Sequence, residues 1–351
     1  MSVARNTAHE PANAAAALRS RPWAASLILT AGLAVLLLGM GASISFGVAD
    51  IAWRTVWEAV LHYNPDLSQH QIIHEIRLPR VLGAALVGAS LAVAGAIMQG
   101  VTRNPMADSG LLGLNAGAGL AMAICMAMFP GLPFMYMILY AFMGAGLGAG
   151  TVFGLSSAGR GGMTPIRLVL AGAAVSALLA ALSEGIALYY RIGQDLAFWF
   201  AGGVAGIKWL QVETMLPWMA AALVGALLLS KSVTLLSLGD DVATGLGQRT
   251  LLVKAAAAVI VIVLAGASVS VAGAVSFIGL IVPHVTRALV GVDYRWVIPC
   301  SAVLGSLLMT LADLAARMVN PPVETPVGAI IALLGVPFFL YLTRRDGRGI
   351  A

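Results

Sequence analysis

Long uncharged apolar runs alternate along the chain with short polar breaks, and most runs are long enough to cross a lipid bilayer as a helix. Cutting at the breaks predicts ten spans, roughly 24–46, 81–101, 110–128, 134–155, 166–189, 212–230, 251–272, 277–290, 296–317 and 326–343. The stretch 194–206 is predicted as a further partial helix lying on the outer surface. The run from Trp23 to Phe46 is preceded by Arg19 and Arg21; it exceeds the core of a cleavable signal peptide and is predicted as a retained first span. Gly146, Gly150 and Gly154 recur at four-residue spacing, which predicts a face where a neighbouring helix approaches closely.

Composition agrees with the pattern. Hydrophobic residues are 60% and charged residues 10%, with mean hydropathy +0.93. A soluble domain carries about a quarter charged residues, so the expected fold is an all-α polytopic membrane protein. The formal charge of +5 follows the topology. Ten spans put both termini on one side, and fourteen of the twenty lysines and arginines fall there, so the positive-inside rule makes that side cytoplasmic. The expected layout is a cytoplasmic tail 1–23, a transmembrane domain 24–343 and a cytoplasmic tail 344–351. No basic stripe interleaved with aromatics is present, so nucleic acid is not an expected partner. Cys125 and Cys300 sit in apolar runs without metal-ligand or redox spacing and are expected to be buried thiols.

The second and seventh spans share a sequence. Leu86 to Ile97 aligns with Leu264 to Val275, with eight of twelve positions identical. Five spans separate the copies, so they cross the membrane in opposite directions. Two inverted five-helix repeats are a recurrent transporter architecture, with the path between halves.

Between the second and third spans, Gly100 to Asn115 is polar and broken by Asn104-Pro105. Two readings stand on the residues alone: irregular backbone facing a cavity at membrane depth, or an ordinary turn. Asn104 and Asn115 are the path candidates here. Glu184 lies within the fifth span, where an ionised carboxylate needs water or a partner; it either lines a path or reaches outward to Arg191. No catalytic constellation and no metal-ligand spacing is found.

Arg77-Leu-Pro-Arg80, the Met98-Gln99-Gly100 helix end, Asn104 to Gly113, Gly273 to His284, and Ala312 to Arg317 with Pro326 to Phe338 occur in order over 77–343. Together they resemble the FecCD family, the permeases of ABC importers for iron siderophores, haem and cobalamin. The resemblance implies the type II ABC importer permease fold. It also implies a second permease subunit, identical or paralogous, two cytoplasmic ATP-binding subunits, an extracytoplasmic substrate-binding protein, and residence in the bacterial cytoplasmic (inner) membrane. Iron-siderophore is the expected cargo class, with haem or cobalamin as the alternative. An ion-coupled secondary transporter is a rival with no obvious midplane acid relay to support it.

No phosphate-cradling G-x-x-x-x-G-K-[ST] loop exists in the chain; Gly225 to Ser232 comes nearest, with Ser230 in place of the second glycine. ATP is therefore expected to act on the partner subunit, with no cofactor in this chain. Within 231–250, the segment Gly239, Asp240, Asp241, Ala243, Leu246, Gly247 resembles the family's coupling helix, with Thr244 and Gly245 departing from the commoner pattern. At the outer ends of spans, Arg77, Arg80 and Arg317 occupy positions that the resemblance assigns to docking the binding protein's acidic residues; Asp313, four residues before Arg317, is a candidate partner for it.

Overall fold

The computed structural model describes residues 20–46, 51–158, 165–321 and 323–346. The expectations for 1–19, for Arg160 within 159–164 and for 347–351 lie outside the described residues.

In hydrocarbon every backbone polar group needs a partner within the chain, which leaves apolar runs one low-energy form, the helix. The first span is α1, Pro22–Ser45, with proline in its first turn, where no amide partner is lost. A surface crown follows: α2, Trp53–Leu61, and α3, Ser68–Ile72. A π turn, Ile73–Arg77, carries α3 without a break into α4, Leu78–Thr102. A 3-10 turn, Ser109–Leu112, precedes α5, Leu114–Met128; then come α6, Phe134–Ser157, and α7, Pro165–Tyr190. The expected surface helix is α8, Gly193–Ala201.

The second half holds α9, Trp209–Ser237, the short α10, Asp240–Gly245, and α11, Thr250–Ala272. It ends with α12, Ile278–Val290, α13, Tyr294–Met318, and α14, Val327–Asp346. Among the described residues seven helices are long and apolar enough to cross a membrane, and three shorter apolar ones, α5, α12 and α14, complete the ten expected. Gly225 to Ser232, the nearest approach to a phosphate loop, is continuous helix within α9.

The span containing α4 is the innermost, with 83% of the residues in its most apolar stretch buried, and the rest of the bundle is built around it. Its direction relative to its neighbours is fixed by side-chain partners. Ser306 Oγ donates to the Ala85 carbonyl at 2.8 Å while Arg80 reaches Asp313, so α13 runs antiparallel to α4. Gly83 faces Ile207 and Gly100 faces Val233, so α9 runs parallel to α4. Gly225 of α9 faces Ile260 while Ser232 meets Gln248, so α11 turns back on α9 and is antiparallel to α4 as well. This is the relation expected of the two repeat copies. Two glycine crossings let the backbones touch. A Cβ on Gly88 would overlap the Gly305 carbonyl oxygen, and one on Gly95 would overlap Gly279.

Gly146, Gly150 and Gly154 do not form the expected packing face. Nothing lies within 4 Å of a Cβ at any of the three; the packed glycines of α6 are Gly144 and Gly148, against Gly117 and Gly113. The two four-residue rows run down nearly opposite sides of this helix, about 140° apart at 3.6 residues per turn, and α5 covers the row of Gly144 and Gly148.

The repeat copies also differ in form. The first is helical throughout, whereas in the second the chain leaves the helix at Gly273 and resumes at Ile278, with Phe277 at φ 71°. A bulky residue adopts positive φ only where its surroundings hold it there; here the Phe277 ring lies against Gly335. Segment 103–113 mirrors this break from the opposite end. Helices α5 and α12 consequently start part-way along the bundle and run only about 20 Å each.

Candidate functional site

Candidate functional residues gather at the two ends of the bundle, here termed the arginine end and the coupling end. At the arginine end the expected outward guanidiniums are turned inward: Arg77 is 7% exposed, Arg80 and Arg317 6% each. Arg80 donates from Nε to both Asp313 oxygens at 3.1 Å and from Nη2 to Oδ1 at 2.8 Å, while its Nη1 meets Glu324 Oε1 at 2.7 Å. Asp313 is fully buried and also lies 3.3 Å from Arg317 Nη2, the pairing expected from the four-residue spacing.

The remaining donors serve a helix end. Arg317 donates to the carbonyls of Ser43 and Phe46, and Arg77 to those of Ile44 and Ser45. These acceptors form the last turn of α1, whose final carbonyls have no partner within the helix. Three guanidiniums face two carboxylates in this cluster, and the negative end of the α1 dipole offsets the excess. The sequence placed the arginines at span ends; it did not show that α1 ends between them. Of the cluster, Glu324 is the member with substantial exposure, 38% of its side chain.

Beside the cluster lies a cavity of about 660 Å³. Its walls come from the end of α5, from α8, from the 202–206 turn and from the break after Ala272; Met122, Phe134 and Trp199 make it mostly apolar, and Arg80, Glu324 and Asp195 supply its charges. Gly203 N–H donates to the Ala272 carbonyl at 2.7 Å, so part of the exposed backbone at this break is satisfied by protein.

Segment 103–113 folds back along the bundle rather than leaving it. Asn104 Oδ1 accepts from Met106 N–H at 2.9 Å, closing a turn, and Asp108 caps the 3-10 turn through Ser109 N–H at 2.8 Å. The Asp108 carboxylate reaches Gly279 at the start of α12, and both Asp108 and Asn115 flank Gly110. Asn104 and Asn115 are half-buried and brought to one segment, but Asn104 is occupied in its turn. Asp108 went unnoticed in the sequence; an acid three residues after a Pro-broken helix end was the available signal.

Glu184 stands apart from both clusters. It is exposed on α7, and no hydrogen bond or ion pair to it is found among the described residues, Arg191 included. Cys125 and Cys300 are buried, as expected.

At the coupling end, Gly239 takes φ 127° to start α10, with Asp240 and Asp241 in its first turn, and Gly247 leaves it at φ 82°. Asp240 Oδ2 is 2.6 Å from Lys254 Nζ of α11, and Gln248 Nε2 donates to the Ser232 carbonyl of α9 at 3.0 Å. The six-residue helix is thereby tied down on two sides. Ala243 is fully buried and anchors the element rather than facing outward. Val242 and Leu246 are exposed, with Leu238 and Leu251 beside them, an apolar patch at the tip of the bundle.

Comparison with known proteins agrees with this arrangement. Residues 35–345 match the FecCD transport family. The iron(3+)-hydroxamate import system permease protein FhuB of Bacillus subtilis is 56% identical over 94% of this chain and 86% of its own. The Fe(3+) dicitrate transport system permease protein FecC of Escherichia coli is 41% identical over 81% and 86%. A solved structure described as an inward-facing conformation of a metal-chelate type ABC transporter superposes with TM-score 0.80 at 26% identity, covering 91% of this chain and 99% of that one. The ten-helix bundle with its inverted repeat has the type II ABC importer permease fold, and the chain belongs to the FecCD transport family of multi-pass membrane permeases.

Proposed function

We propose that this chain is the permease subunit of a binding-protein-dependent ABC importer that moves an iron-hydroxamate siderophore into the cytoplasm. The observation that carries the cargo class is the 56% identity, over nearly the whole chain, to an iron(3+)-hydroxamate permease. Two such subunits, identical or paralogous, enclose the path. The arginine end faces outward and receives the binding protein; the coupling end faces the cytoplasm with both terminal tails, in the cytoplasmic membrane of a bacterium.

The chain performs no covalent chemistry. ATP acts on two partner subunits, each seated on the apolar patch around Val242 and Leu246, and the anchored Asp240–Gly245 helix passes their movement into α9 and α11. At the arginine end, Arg77, Arg80 and Arg317 support docking from beneath. They fix the end of α1 and the Glu324 segment, so that the binding protein meets a rigid rim, and Arg80 becomes available to a partner's acid only if Glu324 moves aside.

Uptake of radiolabelled iron(III)-trihydroxamate into a strain lacking the gene, with and without the restored chain, tests the reading. ATP-dependent uptake that requires the chain is expected; equal uptake in both strains, or uptake that survives loss of the partner ATPase, would overturn it.

A further inference from the structure

The geometry points to Glu184 as a charge filter in the translocation path, admitting neutral and cationic iron chelates and holding back anionic ones. The inference rests on the permease reading above. Helix α7 packs against α5, α6 and α8 on one side, and only 17% of the residues in its most apolar stretch are buried within the chain. Glu184 lies on the uncovered side together with Ala173, Ala177 and Ala181. Tyr189 and Tyr190, both exposed at the end of the helix, mark the level where aromatic side chains meet the membrane interface. Glu184 is six residues before Tyr190, about 9 Å further in at 1.5 Å per residue.

A carboxylate at that depth is not stable against lipid without a cation, and none of the described residues supplies one. The face must therefore be covered by protein and water, and a second permease subunit enclosing an aqueous path provides both. Small side chains below Glu184 leave room for a bulky solute to pass it.

The consequence is electrostatic. Iron(III) held by three hydroxamates is neutral, and a free ammonium on the ligand makes it cationic; carboxylate or catecholate ligands leave the chelate anionic. At about 10 Å and an effective dielectric near 20, one unit charge on the chelate changes its stability beside Glu184 by on the order of tenfold, and screening in a wet path reduces this to several-fold.

The test uses the complete transporter reconstituted with its ATPase and binding protein, carrying either the native chain or Glu184→Gln. Three chelates share one linear trihydroxamate and differ only at a remote amine: free (cationic), acetylated (neutral) or succinylated (anionic). The binding protein is the same in both preparations, so its preferences cancel when uptake ratios are compared. The ratio of anionic to neutral uptake is expected to rise about three- to tenfold in Glu184→Gln, and the ratio of cationic to neutral uptake to fall. Unchanged ratios would overturn the filter alone. No ATP-dependent uptake of any of the three by either protein would overturn the permease reading and the filter with it. In a chain with Cys125 and Cys300 replaced, Glu184→Cys is expected to react with a membrane-impermeant thiol reagent in the assembled complex; an unreactive thiol there also overturns the proposal.

Discussion

Replacing Asp313 by alanine removes the carboxylate that holds the arginine end together. In the native chain Asp313 takes three contacts from Arg80 at 2.8–3.1 Å and one from Arg317 at 3.3 Å, with no exposure to solvent. Arg80 would keep Glu324, and Arg317 would keep the carbonyls of Ser43 and Phe46. Two guanidiniums would then face each other across a void in a site poor in water. Breaking a buried pair from one side costs about 3–5 kcal/mol, because the partner charge stays behind. With the usual unfolding entropy per residue, a chain of this length would lose roughly 4–7 °C in Tm. Thermal unfolding of purified protein in detergent measures it. Asp313→Asn retains the shape and some hydrogen bonding and should lose less. Combined with Arg80→Ala, the two losses should fall short of adding, by about 0.5–3 kcal/mol, as for residues in one network. A Tm change below about 1 °C for Asp313→Ala, or strictly additive losses, would refute the account of a shared buried charge cluster.

Three further outcomes follow from the geometry. Gly95→Val should abolish folded yield, since its side chain would occupy Gly279, whereas Gly150→Ala, at a position with nothing within 4 Å, should leave size-exclusion profile and Tm unchanged; equal tolerance would sink the crossing argument. Leu246→Asp should cut chelate uptake and co-purification of the ATPase at least about tenfold, the scale of losing one buried apolar anchor, with Tm unaffected because the side chain is 65% exposed. Single cysteines at positions 62 and 246 should be labelled by impermeant reagents from opposite sides of intact cells and inverted vesicles, and labelling from one side would contradict the proposed orientation.

Much of this architecture was legible in the sequence because hydrocarbon leaves few choices. The ten runs became helices, most with ends within a few residues of those predicted, and the inverted repeat appeared as antiparallel α4 and α11. Helix α9, however, runs on through Lys231 to Ser237, seven residues past the predicted end, and the helix after Arg191 stops at Ala201 rather than 206. What the sequence withheld is direction. Gly144 and Gly148 share their four-residue rhythm with Gly146, Gly150 and Gly154, and only the position of α5 distinguishes them. Arg80 and Asp313 are 233 residues apart, and each alone reads as a charge at a span end. The repeat shows the same limit in another form. Ala94 to Ile97 and Ala272 to Val275 are nearly one sequence, yet the first is helical and the second mostly is not, because the segment after Gly202 takes the Ala272 carbonyl and α8 closes over Gly273. Glu184 was legible by residue type alone; among the described residues it makes no ion pair with Arg191, and its place in a path stands as the proposal made above.

These placements constrain where the permease can change shape. Sliding α4 along α13 or α12 would drive backbone into backbone at the Gly88–Gly305 and Gly95–Gly279 crossings, where not even a methyl group fits. The charge cluster around Asp313 pins α4, α13 and α1 together at the arginine end. Packed interfaces of this kind move as units rather than deforming by degrees. Freedom is left to segments 103–108 and 273–277, which have no regular helical ladder to break, and to α7, which is covered on one side only. Glu184 and the 660 Å³ cavity both adjoin those freer parts, and so the elements able to move are also the ones that would touch a passing solute.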